Sequence, residues 1–465
     1  MTDKIRSSEN RKMIAFVSVI AVIAFARILL NPLGDLDELW NYDMSRAVVL
    51  GYIPYRDYNR VQTPLFALIN ALPLLIRMSL MTYRITCAVI LTVMMTLLHK
   101  AVSKDSCGGF AMVLVTLCMI FTYTITYNTL FLLFALGVYL LLISPSTDKR
   151  NLLAGALCVC AALSRQTSGG FLLLFVLVII AVSKDGNRRR GILMYLTGAF
   201  IPCLIFLGYL LVTDSFYDFW RCCLFSLFAF GGEASAFQLS SVPFLEIAAA
   251  GIICDIVLIR RRDKNAAVHL CLGIPVLLTV LPIFDDAHSY IAALWFLIPV
   301  SQLLWKGFKR FFTNVVMMAS ACAFAAVSLF IAFAGVQGYE MTADHPELTG
   351  VYADPVIVEG YRDIALINDE YEDEGYNVEL ISFNAVMISV IGDGEVSKFY
   401  PSTYYSVGVS DPLEYITAAC ADEGTVIMMP DDYETEGWQN PSGVCGYVKD
   451  HCESERTIYQ FSWYK

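Results

Sequence analysis

Eleven apolar runs divide the chain, at residues 13–30, 82–99, 110–127, 128–144, 151–163, 168–183, 191–212, 243–259, 266–283, 290–305 and 311–334. A helix needs about 20 apolar residues to cross a bilayer core roughly 30 Å thick, so each run is read as a candidate span. The pair 151–163 and 168–183 is short and reads as a hairpin that just reaches the far surface. Basic residues collect between the runs, at Lys4/Arg6/Arg11/Lys12, Lys100/Lys104, Lys149/Arg150, Lys184/Arg188/Arg189/Arg190, Arg260/Arg261/Arg262/Lys264 and Lys306/Lys309/Arg310. With eleven spans, all six clusters fall on one face of the bilayer. Loops rich in Lys and Arg stay in the cytoplasm. The N-terminus is therefore expected inside, with 31–81, 213–242, 284–289 and everything after 335 outside. The first run is long for a signal peptide and no small-residue cleavage site follows it, so it is read as a retained span.

The composition agrees with a multi-pass protein of the plasma membrane. The chain is 57% hydrophobic and only 16% charged, too little charge for a water-facing surface of this size. The net charge of −11 conceals two opposite parts: residues 335–465 carry 25 acidic against 5 basic side chains, the remainder 18 against 27. Two domains are expected, a transmembrane domain over 1–334 and an acidic outer domain over 335–465. An acidic outer half argues against nucleic acid, which wants a basic face. In the outer domain Val378–Phe383, Thr425–Met429 and Thr457–Trp463 read as strands, and 361–371 and 412–421 as helices between them, giving a small α/β fold. Gly392-Asp393-Gly394 lacks the spacing of a nucleotide loop. Most of the 14 cysteines sit inside apolar runs as small buried hydrophobes. Cys445 and Cys452 form a candidate disulfide if the outer domain meets an oxidising space.

The first outer loop, 31–81, holds the chemistry. Leu36, Trp40, Met44 and Ala47 recur at helical spacing, with Glu38, Asn41, Tyr42 and Ser45 on the opposite stripe. This predicts an amphipathic helix lying in the interface plane. A second helix, 65–76, follows Pro64. Asp35, Asp37 and Glu38 gather where the first helix begins. One acid there is an ordinary helix cap; three beside an apolar span point to function.

The stretch Asp37-Glu38-Leu39-Trp40, then Ala47 through Leu50-Gly51-Tyr52-Ile53-Pro54-Tyr55-Arg56-Asp57-Tyr58, then Thr63-Pro64-Leu65, resembles the first outer loop of GT-C glycosyltransferases. The similar branch is that of the dolichyl-phosphate-mannose-protein mannosyltransferase-like and aminoarabinose transferase-like bacterial proteins. Two shorter echoes are Leu163-Ser164-Arg165-Gln166-Thr167-Ser168-Gly169 and Asp285-Asp286-Ala287-His288-Ser289-Tyr290. Relatives often have Lys where Arg165 stands, and adjacent His-Tyr where this chain has His288-Ser289-Tyr290.

The resemblance implies a GT-C-like fold and transfer of a sugar from a polyprenyl-phosphate carrier to an extracytoplasmic acceptor. A lipid phosphate is already a good leaving group, so the reaction needs one carboxylate to take the proton of the attacking hydroxyl. A single displacement then inverts the anomeric centre, borrowing the base half of the inverting glycosidase scheme. Asp37 aligns with the acidic residue of the family motif and is the expected base, with Glu38 the alternate. Asp35 and Asp37 have a spacing that could hold a divalent cation through oxygen ligands. The leaving phosphate calls for cationic donors, and a guanidinium suits it. Arg165 is the first candidate, its ordinary reading being a side chain snorkelling to the interface. Arg56 and Arg60 follow, against plain headgroup contact. His288 and Tyr290 are candidates for the phosphate or sugar; Asp57 and Tyr55 either contact the sugar or hold the loop's turn. The stretch Asp214–Glu233 is a candidate interfacial helix near the lipid tail.

Two other classes compete. A transporter predicts polar or broken helices at mid-membrane and internal repeats; no repeat is present, and Asp255 is the main in-span charge. A noncatalytic scaffold of envelope polysaccharide assembly would keep the fold and lose the base.

Overall fold

The structure is a computed structural model. It describes residues 2–58, 60–122, 124–183, 188–225, 236–281, 283–381, 385–391, 412–431 and 442–465. Lys184, the end of the 214–233 stretch, the end of the Val378–Phe383 strand and Gly392–Gly394 lie outside the described residues. The chain packs as two compact units: Met1–Asn31 with Arg84–Phe206 and Ala236–Gln337, and Pro32–Tyr83 with Leu207–Ser235 and Gly338–Lys465.

Each of the eleven apolar runs contains a helix. The helices are Thr2–Leu29, Leu80–Ser103, Gly108–Cys118, Tyr127–Leu142, Asp148–Ala162, Gln166–Val182, Arg188–Val212, Val242–Arg260, Lys264–Leu277, Asp286–Phe308 and Asn314–Gly335. Among the described residues, six helical segments are long and apolar enough to cross a membrane: Arg11–Leu29, Leu80–Ser103, Arg188–Val212, Leu239–Arg260, Asp286–Phe311 and Asn314–Gly335. Their outer faces are apolar too. Ile205 is 70% exposed and Phe330 71%, a surface that water penalises and hydrocarbon accepts. Where runs abut, side chains make the break: Thr126 caps the helix Tyr127–Leu142 in a reciprocal box with Thr129.

Small residues let the helices of this unit approach closely. A Cβ on Gly155 would lie 2.0 Å from Tyr195 O, and one on Gly198 would lie 1.9 Å from Leu152 O, so backbone meets backbone where the helices Asp148–Ala162 and Arg188–Val212 touch. Asp255 is not a lone charge in this apolar setting. Its Oδ2 lies 2.7 Å from His269 Nδ1, and His269 Nε2 lies 3.2 Å from Trp295 O, which ties three consecutive helices.

The second unit carries a four-stranded sheet in the order Asn377–Leu380, Thr425–Pro430, Phe461–Tyr464, Ser454–Ile458. The first pair is parallel, the others antiparallel. The strand Thr425–Pro430 is buried on both faces. Val426 and Met428 pack with Ile364, Ile388 and Trp463, while Ile427 and Met429 pack with Ile416, Val444 and Val61 from the first loop. A strand covered on both sides reads as an unbroken apolar run, which is how it stands in the sequence.

Two readings of this segment change. The expected strand Thr457–Trp463 is a hairpin, with Tyr459 turning at φ 55° between Ser454–Ile458 and Phe461–Tyr464; aromatic content hid the turn. Cys445 and Cys452 stand seven residues apart along and just beyond the helix Ser442–His451. At 1.5 Å per residue that is about 10 Å, beyond the ~7 Å Cα separation a disulfide tolerates.

Candidate functional site

The helix Leu36–Val49 opens on Asp35, whose carboxylate accepts the Glu38 N–H at 3.3 Å and caps the first turn. Asp37 is exposed on the same turn, its carbonyl accepting from Asn41 Nδ2 at 2.7 Å. Glu38, one residue on, is buried. The three acids thus separate into a cap, an accessible carboxylate and an interior one. Among the described residues no three His, Cys, Asp or Glu side chains gather as metal ligands would.

The stripe Glu38, Asn41, Tyr42, Ser45, expected to face water, is buried instead. Asn41 and Ser45 donate to carbonyls one turn back, Asp37 O and Asn41 O, at 2.7 Å each, while Tyr42 finds its acceptor far along the chain in the same unit. Glu347 accepts from Tyr42 Oη at 2.7 Å and from Arg46 Nε at 3.0 Å. Arg46 Nη1 also donates to Asp43 Oδ1 at 3.1 Å and to Ser389 Oγ at 3.2 Å. Burial works against the Arg46 charge, but Asp43 and Glu347 outweigh it and raise its pKa. Burial, and then the Glu347 charge, push the Tyr42 hydroxyl far up, so it remains a donor. No local pattern could reveal Glu347, 305 residues from Tyr42.

The loop after this helix is a built turn. Ile53 N–H donates to Asp57 Oδ2 at 2.8 Å, and Asp57 N–H to Ile53 O at 2.9 Å. Tyr55 sits at φ 77°, a conformation that favours glycine. It is held there by its N–H on Tyr58 O at 3.0 Å, its hydroxyl on Gln62 O at 2.9 Å, and an edge contact with Phe219. Arg56 chelates Asp57 at 2.7 and 2.9 Å, and those bonds, chiefly, hold the Asp57 carboxyl below its usual range. Arg60 is fully buried and donates to Gln62 O at 3.1 Å and Thr63 O at 3.4 Å. Tyr55, Asp57 and Arg60 therefore shape the loop, while the Arg56 guanidinium is on its surface.

The other unit brings the two shorter sequence echoes together. Arg165 precedes the helix Gln166–Val182. Its guanidinium donates to Asn128 Oδ1, and to Thr279 O and Leu281 O at 3.0 Å each, with the Tyr127 ring 6.0 Å away. The tip that carries it is tight: a Cβ on Gly169 would stand 2.2 Å from Ala162 Cα. His288 Nδ1 meets Asp285 at 2.7 and 2.8 Å, and Asp285 also caps the helix Asp286–Phe308. Burial tends to raise the Asp285 carboxyl, but His288, helped by the Arg165 charge, leaves it below its ordinary value. Tyr290 is buried and donates to Cys118 O at 2.9 Å. Sequence reasoning missed Tyr127 and Asn128. The available signal was an amide at the head of an otherwise apolar run.

No family model matches the chain, and no curated protein matches it. Solved structures do. An ArnT from Cupriavidus metallidurans bound to undecaprenyl phosphate aligns with TM-score 0.57 at 12% identity, over 97% of each chain. The same protein in the apo state aligns with TM-score 0.59 at 12% identity, over 98% of each. An oligosaccharyltransferase from Archaeoglobus fulgidus, in complex with zinc and sulfate, aligns with TM-score 0.51 at 10% identity, over 90% of this chain and 68% of that one. The likeness shows the fold. The chain has the GT-C-like architecture that its first loop implied.

Proposed function

We propose that this protein is a membrane glycosyltransferase that moves a sugar from a polyprenyl-phosphate carrier to an extracytoplasmic acceptor, in a single inverting displacement. The observation that carries the reading is the likeness, over nearly the whole chain, to an ArnT that binds undecaprenyl phosphate. In this reading the chain spans the plasma membrane eleven times over 1–334, with its N-terminus in the cytoplasm. The acidic α/β domain over 335–465 stands outside and meets the acceptor, an envelope glycan, lipid or protein.

Asp37 is the base, supported by its exposure beside a cap and an interior acid. Its carboxylate takes the proton from the acceptor hydroxyl as that oxygen attacks the anomeric carbon. The bond to the carrier phosphate breaks on the opposite face. Arg165 balances the charge that develops on the leaving phosphate, and Arg56 and His288 are the further cationic and donor groups. Asp35 and Asp37 are the carboxylates a divalent cation would use, and chelation tests for one.

Mass spectrometry of envelope glycans and lipids, with and without this protein, tests the reading. The expected result is loss of one sugar mass from one envelope component. Asp37→Asn should reproduce that loss, by roughly 10²-fold or more in rate, while the protein still inserts. An unchanged envelope in the deletion strain overturns the proposal.

A further inference from the structure

Cys420 ends the helix Pro412–Cys420. Cys452 follows the helix Ser442–His451, its N–H on Val448 O at 2.8 Å. Both are half-buried, and both pack on one cluster that includes Ile416, Cys445 and Val448. The two side chains are neighbours on that cluster, and both cysteines are free thiols. Cys445 is fully buried in the same cluster, so geometry and access together select one pair out of three cysteines.

We infer that Cys420 and Cys452 are a modification site, a dithiol that an extracytoplasmic oxidant converts to an intramolecular disulfide. The inference rests on the proposed placement of this segment outside the cytoplasm. The oxidant is a disulfide, carried by a thiol–disulfide oxidoreductase or a low-mass compound. The Cys452 sulfur attacks one oxidant sulfur, breaks that S–S bond and releases the first thiol. The Cys420 sulfur then attacks the mixed disulfide at Cys452 and releases the second. The two cysteines lose two electrons, the oxidant gains them, and the two cysteine protons pass to the departing thiolates. Burial, with the neighbouring Cys452, pushes the Cys420 thiol up to about 12, which leaves little thiolate there and gives the first attack to Cys452. The bond would join the ends of two helices that flank the strand Thr425–Pro430.

The test uses the full chain in its native membrane. Free thiols are blocked by alkylation before lysis, and peptides are mapped by mass spectrometry without reduction. In parallel, Glu374→Cys, at an exposed position of the same unit, is probed on intact cells with a membrane-impermeant maleimide. The expected result is a Cys420–Cys452 linked peptide, two hydrogen masses lighter than its parts, together with labelling of residue 374 from outside. Labelling of 374 from outside with both cysteines alkylated as free thiols, even after treatment with oxidised glutathione, overturns the disulfide alone. Labelling of 374 only after lysis overturns the placement, and the disulfide with it.

Discussion

Replacing Glu347 with leucine removes the acceptor at the centre of the buried network of the second unit. Glu347 is 5% exposed and receives the Tyr42 hydroxyl at 2.7 Å and Arg46 Nε at 3.0 Å. Taking one partner from a buried ion pair costs about 3–5 kcal/mol, and removing a buried hydroxyl's acceptor costs about 1–3 kcal/mol. These costs overlap, because both arise at one carboxylate. A net loss of about 4 kcal/mol is expected, which for a unit of this size lowers the melting midpoint by roughly 8–16 °C. Glu347→Gln keeps an acceptor and should lose about half as much. The assay is thermal unfolding of the detergent-solubilised full chain, read by protease resistance of the C-terminal segment. In combination with Tyr42→Phe the two losses should add to less than their sum, since the substitutions share one bond. A leucine variant that melts within about 2 °C of the parent refutes the reasoning, because by the same scaling the network would then contribute under ~1 kcal/mol.

Arg165→Lys should reduce transfer by at least about tenfold, because one ammonium cannot serve Asn128 Oδ1 and the carbonyls of Thr279 and Leu281 together; rates measured in proteoliposomes check it. Gly155→Ala places a methyl 2.0 Å from Tyr195 O and should destabilise by about 1–3 kcal/mol or more. Gly170→Ala, where nothing lies within 4 Å, is the control, and the yield of monodisperse protein is the readout. The Asp57 carboxyl is held low by Arg56, so its contribution is present above the ordinary carboxylate pKa and is lost as pH falls through the lower folded value. Proteolysis in the 51–63 loop should rise on acidification, and less so in Asp57→Asn, whose loop is already loosened at neutral pH.

What the sequence revealed follows from where each signal is stored. Apolar runs are local, and each contains a helix. Thr425–Met429 was legible because a strand covered on both faces writes its burial into consecutive residues. The placement of the polar stripe on the first-loop helix was not. Whether Tyr42 and Arg46 on that helix face water depends on Glu347 and Ser389, which no spacing rule connects to them. The tail hairpin failed for a related reason: Tyr459 takes a positive φ that usually advertises itself through Gly or Asn. In the candidate site the acidic trio was visible, but only the structure separates the cap Asp35 from the exposed Asp37 and the buried Glu38.

Val61 belongs to the first loop, yet it fills the hydrophobic cluster behind the four-stranded sheet beside Ile381 and Ile427. A clone that began at Gly338 would carry a hole where that valine sits, and would leave Glu347 without Tyr42 and Arg46. Chimeras that exchange only the tail between proteins of this fold would inherit the same defect, and grafting succeeds when residues 32–83 travel with it. Selection on the two segments is then joint: a change of shape in one must be answered in the other.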